Sequence, residues 1–231
     1  MLFFVAAAVV ECQPNIDFEV ASIKPTVVLP GQPIHRGEMG IFVTPTSAYF
    51  RNLTLISLIS WAFQVSQVQV VGPAKLENTF TIMAKIPPGT RRDRIPEMLQ
   101  NLLRKRFGME CHEEKRLVKG GELSIEDAEM LHKQLLTGDA PRMPPRGLGR
   151  PARLISSLLE IGARLSELMG VPVLGDTMPS NEDRYLFWLE TTDGAASIAS
   201  SLKRYGIHLT FGRIAARYVV IDRISMTPTE E

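Results

Sequence analysis

The residues best suited to chemistry are a histidine and a glutamate two positions apart, within the string CHEE at residues 111–114. Neighbouring residues of a strand face opposite sides, so Cys111 and His112 are not expected at one site, whereas His112 and Glu114 share a face. A histidine beside a carboxylate is the general acid-base pair of many hydrolases. The same two residues also suit a polar outer surface over an apolar core, and that surface is the favoured interpretation.

Other patterns typical of enzymes and metalloproteins are missing from the sequence. The histidines stand at positions 35, 112, 132 and 208, and none has a partner at a metal-ligand spacing. The chain has no HExxH, CxxC or phosphate-loop motif, and no GxSxG nucleophile elbow. The sequence therefore predicts no metal and no cofactor, and it leaves catalysis open while favouring a protein that is not an enzyme.

Composition limits the classes of partner. The chain has 231 residues, of which 45% are hydrophobic and 22% charged, so it is long enough to bury a core and is not disordered as a whole. Its net charge is +1, which gives no global field for nucleic acid. The densest basic run, at Arg91, Arg92 and Arg94, follows Pro87 and Pro88 and is interpreted as a solvated loop entering a helix. Nucleic acid is therefore not an expected partner.

The first residues predict export. Residues 2–10 read LFFVAAAVV, an apolar run too short to cross a bilayer, which takes about 20 residues. The run is typical of a signal-peptide core, although no Lys or Arg precedes it. Residues 1–13 are therefore predicted to be a signal-peptide remnant that is cleaved, truncated or lipidated at Cys12. The mature chain is predicted to be periplasmic or secreted, with no transmembrane span.

The predicted elements that position His112 and Glu114 occur in the same order twice along the chain. Residues Thr79–Val118 read as strand, loop, helix, glycine and strand, and Arg184–Asp222 repeat that order. In the first copy, apolar residues recur at helical spacing over Ile95–Phe107 and end at Gly108. The closing strings LRKRFGM and LKRYGI share a basic group, an aromatic, a glycine and an apolar residue. These glycines lie 98 positions apart, and Gly72 and Gly175 lie 103 apart, which indicates an internal duplication.

The remaining elements complete the predicted fold. Alternating residues predict one strand near Phe18–Ile23 and another over Ile41–Phe50, followed by a helix that Asn52 or Thr54 caps. The last two strands, Ile207–Phe211 and Arg217–Asp222, are expected to flank a turn at Gly212. The predicted class is α+β, with two tandem, internally related modules of small mixed or antiparallel sheets packed with helices.

Composition sets the predicted domain boundaries. Residues 14–119 form an N-terminal α+β module, and residues 153–231 form a C-terminal α+β module. The stretch between them, residues 120–152, is predicted to be a linker with a short helix, because TGDAPRMPPRGLGRP places four prolines and three glycines in fifteen residues.

The octet FEVASIKP, at residues 18–25, resembles the opening signature of a family of uncharacterised exported proteins greatly expanded in soil acidobacteria. The resemblance covers nearly the whole chain. It continues through NLTLISLISWAF, VVGP, FTIMAK, MLQNLLRKRFGMECHEEKR, LMGVPVLGDT, YLFWLE, SLKRYGIHL and VVIDRISMTPTEE. The positions where that family has the same residue types are Leu103, Arg106, Phe107, His112, Glu114, Arg116, Asp222, Pro228, Thr229 and Glu230. The chain departs from the pattern at RLVKGG, which is several residues shorter, and over residues 122–150.

The resemblance implies a role without implying a reaction. The family has no established activity, so no catalytic residue is carried over. Its order of helices and strands is similar to the short N-terminal modules of secretins and TonB-dependent receptors, which bind other proteins in the periplasm. Some relatives are joined to sensor metallopeptidases of the beta-lactam-response type, which suits a sensory or docking role.

Two hypotheses on function follow from the sequence. The first is an exported binding module in the cell envelope, whose strand edges or the groove between its modules contact an unknown protein or envelope partner. The alternative is a hydrolase that uses His112 and Glu114 as its acid-base pair, which requires both side chains in one concave pocket.

Overall fold

The computed structural model describes residues 17–26, 39–73, 76–138, 151–175 and 183–229. The predicted signal-peptide remnant at residues 1–13, with Cys12, lies outside these residues, as does much of the proline-rich stretch of the predicted linker.

The fold is α+β, as the sequence predicts. Its strands are β1 Val20–Pro25, β2 Gly40–Val43, β3 Ser47–Thr54, β4 Val70–Val71, β5 Thr79–Lys85, β6 Glu110–Ile125, β7 Ala152–Ser156, β8 Val173–Leu174, β9 Tyr185–Leu189 and β10 Ile207–Arg223. Its helices are α1 Leu55–Phe63, α2 Ile95–Phe107, α3 Ala128–His132, α4 Leu158–Met169 and α5 Ala195–Lys203.

The first half is an antiparallel sheet covered on one face by two helices. The strand order is β1-β5-β3-β2, and α1 and α2 bury their apolar stripes against it. Thr54 caps α1, because its hydroxyl accepts a hydrogen bond from the Ser57 amide at 3.3 Å. Phe80 and Phe107 meet edge to face with ring centroids 5.1 Å apart, which joins β5 to the end of α2.

The strand expected over Ile41–Phe50 is instead a hairpin of β2 and β3. Pro45 stands in the middle of that stretch, and a proline has no amide hydrogen for a strand ladder. The turn closes where the Thr44 amide donates to the Ser47 carbonyl at 2.8 Å.

The second half has a smaller sheet. β7 and β9 pair antiparallel, from Ala152 opposite Leu189 to Ser156 opposite Tyr185. Ser157 caps α4 through its hydroxyl, and Gly170 ends the helix in the left-handed conformation. β7 begins at Ala152, the last residue of the predicted linker, while α3 and the end of β6 lie within that predicted stretch.

A long two-stranded ribbon joins the halves. β6 and β10 pair antiparallel from Ile125 opposite Ile207 to Glu110 opposite Arg223. The turn expected at Gly212 does not exist, because Gly212 lies opposite Gly120 in the continuous ladder. At Gly120, a Cβ would lie 2.3 Å from Cδ1 of Ile214 and 2.5 Å from the Pro172 carbonyl, so close packing requires that glycine. The first module's predicted end at residue 119 lies inside β6.

The two halves pass through the same order of elements. The order β3-α1-β4-β5-α2-β6 is followed by β7-α4-β8-β9-α5-β10, apart from α3. The short strands cross over: β4 pairs with β10 at Val219–Val220, and β8 pairs with β6 at Gly121–Glu122. Val219, which pairs with β4, lies 98 residues after Gly121, which pairs with β8. Gly108 and Gly206 have the same spacing. Duplication, and the similarity to secretin and TonB-dependent receptor modules, stay predictions.

Candidate functional site

The ribbon places His112 and Glu114 on one face, as their spacing predicts. Nε2 of His112 lies 3.1 Å from Oε1 of Glu114, and Nδ1 of His112 lies 2.9 Å from Oδ2 of Asp222. Arg116 donates from Nε to Oε2 of Glu114 at 2.7 Å. We call these four residues the His112 cluster.

The charges of the His112 cluster support one another. The hydrogen bond to Asp222, followed by the one to Glu114, raises the pKa of His112 because both carboxylates favour the imidazolium. The hydrogen bond from Arg116, followed by the one from His112, lowers the pKa of Glu114. When His112 is protonated, the cluster is a row of alternating charges, Asp222, His112, Glu114 and Arg116, in which each charge lies next to its opposite.

This arrangement is a poor general base. Carboxylates engage both ring nitrogens of His112, so neither nitrogen is open to take a proton from a nucleophile. The side chains of His112 and Glu114 are 50% and 40% exposed, so water surrounds the pair. The cluster is better suited to stabilising the outer face of the ribbon, or to contacting a charged partner, than to proton transfer.

Sequence reasoning singled out neither Asp222 nor Arg116 as a site residue. Asp222 reaches His112 because His112 lies opposite Val220, which places Asp222 two residues further along β10. The guanidinium of Arg116 lies 4.8 Å from the ring centroid of Tyr218 and covers it. Arg116 lies two residues after Glu114 in the same strand, so alternation alone predicts that it lies on this face. The position of Asp222 cannot be predicted in this way, because it depends on the pairing of β6 with β10, and Asp222 lies 110 residues from His112.

Cys111 lies on the opposite face, as alternation predicts. It packs against the first core, next to the buried Met109. Burial raises the pKa of the Cys111 thiol, although the nearby Arg104 opposes that shift. Cys111 is therefore a small apolar strand residue, and it does not share a site with His112.

Two arginines of the predicted basic loop form ion pairs with nearby carboxylates. Arg91 forms an ion pair with Asp93 at 2.6 Å, and Arg94 forms one with Glu97 at 2.9 Å. These contacts fit the interpretation of a solvated loop that enters α2.

A second candidate surface is the open face of the first sheet. Phe42, Tyr49 and Met83 are neighbours across three strands, because Phe42 lies opposite Tyr49 and Tyr49 lies opposite Met83. Their exposed fractions are 47%, 38% and 44%, and Val20 on β1 is 59% exposed. We call these four residues the sheet-face patch.

Cations border the sheet-face patch. The guanidinium of Arg51 lies 5.6 Å from the ring centroid of Phe42. Lys85, opposite Val20, forms an ion pair with Glu19 at 2.5 Å. The patch is therefore an apolar and aromatic row with a charged rim, which is the composition of a protein-binding surface.

Metal-binding clusters and membrane-spanning helices are both absent from the part of the chain that the structure describes. No group of three or more His, Cys, Asp or Glu side chains in the described ranges is arranged to hold a metal ion. Within the same ranges, no helix has the length and apolar character needed to cross a membrane.

Comparison with known proteins identifies a family and no function. No curated protein and no solved structure matches the chain. One family model, described as a protein of unknown function and designated DUF3738, matches residues 56–224. This range includes the His112 cluster and the whole ribbon, and Met83 is the one residue of the sheet-face patch within it. The chain belongs to the DUF3738 family.

Proposed function

We propose that this chain is an exported binding module that contacts a protein partner in the cell envelope through the sheet-face patch. The observation that carries the proposal is the row of Phe42, Tyr49 and Met83 across neighbouring strands. Aromatic residues and methionine are enriched at the centres of protein interfaces, where they contribute most of the binding free energy.

The edge of the same sheet supports this proposal. β2 is an edge strand of the sheet: one side pairs with β3, and the other side pairs with no strand among the described residues. An extended segment of a partner that pairs with β2 would gain backbone hydrogen bonds and lie beside Phe42. The expected partner therefore offers an exposed strand with apolar side chains, and acidic residues that face Arg51.

Export is supported by the sequence. The apolar run at residues 2–10 is typical of a signal peptide, and FEVASIKP resembles the opening of an exported family expanded in soil acidobacteria. A periplasmic or secreted chain will be found outside the cytoplasm with its first residues removed or lipidated at Cys12. Cell fractionation with mass spectrometry of the N-terminus measures this, and an intact N-terminus in the cytoplasm contradicts it.

The binding proposal is tested by photo-crosslinking from single positions in the producing cell. A benzophenone amino acid at position 42 or 49 is expected to give the same adduct, because the two side chains are neighbours. The matched control is position 203, where exposed Lys203 lies on α5 in the other half. Met83→Asp places a charge at the centre of the patch and is expected to abolish the adduct.

Two results would overturn the binding proposal. One is an adduct that forms equally from position 203. The other is an adduct that persists in Met83→Asp while circular dichroism shows a folded protein, because the patch would then have no part in the contact.

The hydrolase hypothesis is less well supported. The structure does bring His112 and Glu114 together, but Asp222 and Glu114 occupy both ring nitrogens and the pair is exposed. Its test is turnover by the purified protein against a panel of ester and amide substrates. Activity that is intact in Glu114→Ala removes this hypothesis, and activity lost in Glu114→Ala but kept in Glu113→Ala restores it.

A further inference from the structure

A groove opens on the ribbon face opposite the His112 cluster, where the ribbon meets the second-half helices. It has a volume of about 530 Å³. Its apolar lining comes from Phe211, Met169, Val171 and Ala195, and two cations, Lys119 and Arg213, also line it. We call this feature the ribbon groove. The groove is open to solvent, and its lining combines apolar side chains with two cations.

The two cations of the ribbon groove face each other. Lys119 and Arg213 are directly opposite in the β6–β10 register. Neither side chain forms an ion pair or a hydrogen bond with another residue in the part of the chain that the structure describes. Like charges directly opposite each other in an antiparallel pair are destabilising, so an anion between them would be favourable.

Beside the first core, the corresponding place on the ribbon is filled by Arg217 of β10. Arg217 lies 98 residues after Lys119, the spacing that also separates Gly108 from Gly206. Its guanidinium donates to the carbonyls of Phe63 and Gln64 at the end of α1, and it pairs with Glu113 at 3.5 Å. Beside the second core, Lys119 of β6 borders Met169 at the end of α4 and makes no such contact with any residue that the structure describes. One half is closed by a protein side chain, whereas the other keeps an open groove with unneutralised charge.

The exposed apolar surface continues beyond the groove. Phe211 is 45% exposed, and Leu117, two residues before Lys119 on the same face, is 59% exposed. The ribbon therefore offers a track of apolar side chains leading to a pair of cations. A ligand that matches it needs an apolar body and one anionic end.

We propose that the ribbon groove binds an amphipathic anion, with an alkyl or similar apolar body on Phe211 and Met169 and a carboxylate or phosphate head between Lys119 and Arg213. Charged hydrogen bonds from both cations hold the head. Burial of the apolar body provides the remaining affinity. The site is separate from the sheet-face patch, so it is independent of the binding function proposed above.

The test is a titration of the full chain with octanoate and with octyl phosphate, followed by two-dimensional amide NMR. Saturable shifts are expected at Gly120, Phe211 and Gly212, with a Kd on the order of 1 mM for a ligand of this size. Comparing the two head groups distinguishes a carboxylate ligand from a phosphate ligand. Octyltrimethylammonium, with the same chain and the opposite charge, is expected to bind at least about tenfold more weakly.

Variants assign the binding to the groove. The double variant Lys119→Gln/Arg213→Gln is expected to weaken octanoate binding about tenfold. The matched control is Lys115→Gln, which removes a cation from the same ribbon face outside the groove and is expected to leave binding unchanged. The proposal is overturned if the double variant binds as tightly as the parent chain, if both head charges bind equally, or if the shifts do not saturate.

Discussion

At the residue scale, the His112 cluster makes stability depend on pH in two directions. The pKa of His112 is raised, so its contribution is fully present below about pH 6.5 and is lost as pH rises through the folded-state pKa. The pKa of Glu114 is lowered, so its contribution is present above about pH 4.3 and is lost as pH falls through its folded-state pKa. The cluster therefore stabilises the ribbon most in the mildly acidic range between these limits.

Asp222 is expected to control the titration of His112. Its hydrogen bond is the largest cause of the raised pKa, so Asp222→Asn should lower that pKa more than Glu114→Gln does. NMR titration of the His112 ring measures both. Glu113→Gln, on the opposite ribbon face, is the matched control and should leave the ring unchanged. A larger effect of Glu114→Gln than of Asp222→Asn would contradict this order of the two hydrogen bonds.

At the element scale, two left-handed glycines that follow helices, Gly108 after α2 and Gly206 in the turn after α5, are expected to differ in their tolerance of a side chain. Gly108 has φ +56° and no atom within 4 Å of the point that a Cβ would occupy, so Gly108→Ala should cost about 1 kcal/mol, from backbone strain alone. At Gly206 the φ is +76°, and a Cβ would lie 2.1 Å from the carbonyl oxygen of Asp127. Gly206→Ala should therefore cost roughly 3 kcal/mol or more. Urea unfolding of the two variants measures the difference, and equal costs would show that the chain before α3 gives way.

Comparing the predicted and observed elements shows which features of the fold the sequence patterns predict. The bounds predicted for α2, Ile95–Phe107, are those of the structure, because helical spacing and a terminal glycine are local signals. The continuous β10 was missed, because Gly212 looks locally like a turn and its extended state depends on Gly120 in a distant strand. The approach of Asp222 to His112 was missed for the same reason. Local periodicity predicts an element, whereas register across a long ribbon decides which side chains meet.

At the scale of the whole molecule, the ribbon is a shared wall between two cores. β10 contributes Val219 and Ile221 to the first core, and Ile207 and Leu209 to the second. The crossed pairing of β4 with β10 and of β8 with β6 ties each half to the long strand of the other. Separating the halves would expose both ends of the ribbon, so the predicted modules at residues 14–119 and 153–231 are not expected to unfold independently.

Two tryptophans measure this coupling, because there is one in each half. Trp61 lies on α1 with its ring centroid 5.2 Å from that of Phe50, and Trp188 lies on β9. Trp188→Phe leaves a probe of the first half, and Trp61→Phe leaves a probe of the second. In each variant, the fluorescence transition in urea is expected to coincide with the circular dichroism transition of the same protein, because unfolding is a single cooperative step. Fluorescence and dichroism midpoints that differ by more than about 0.5 M within one variant would show that the halves unfold separately, and the ribbon would then be a linker between two domains.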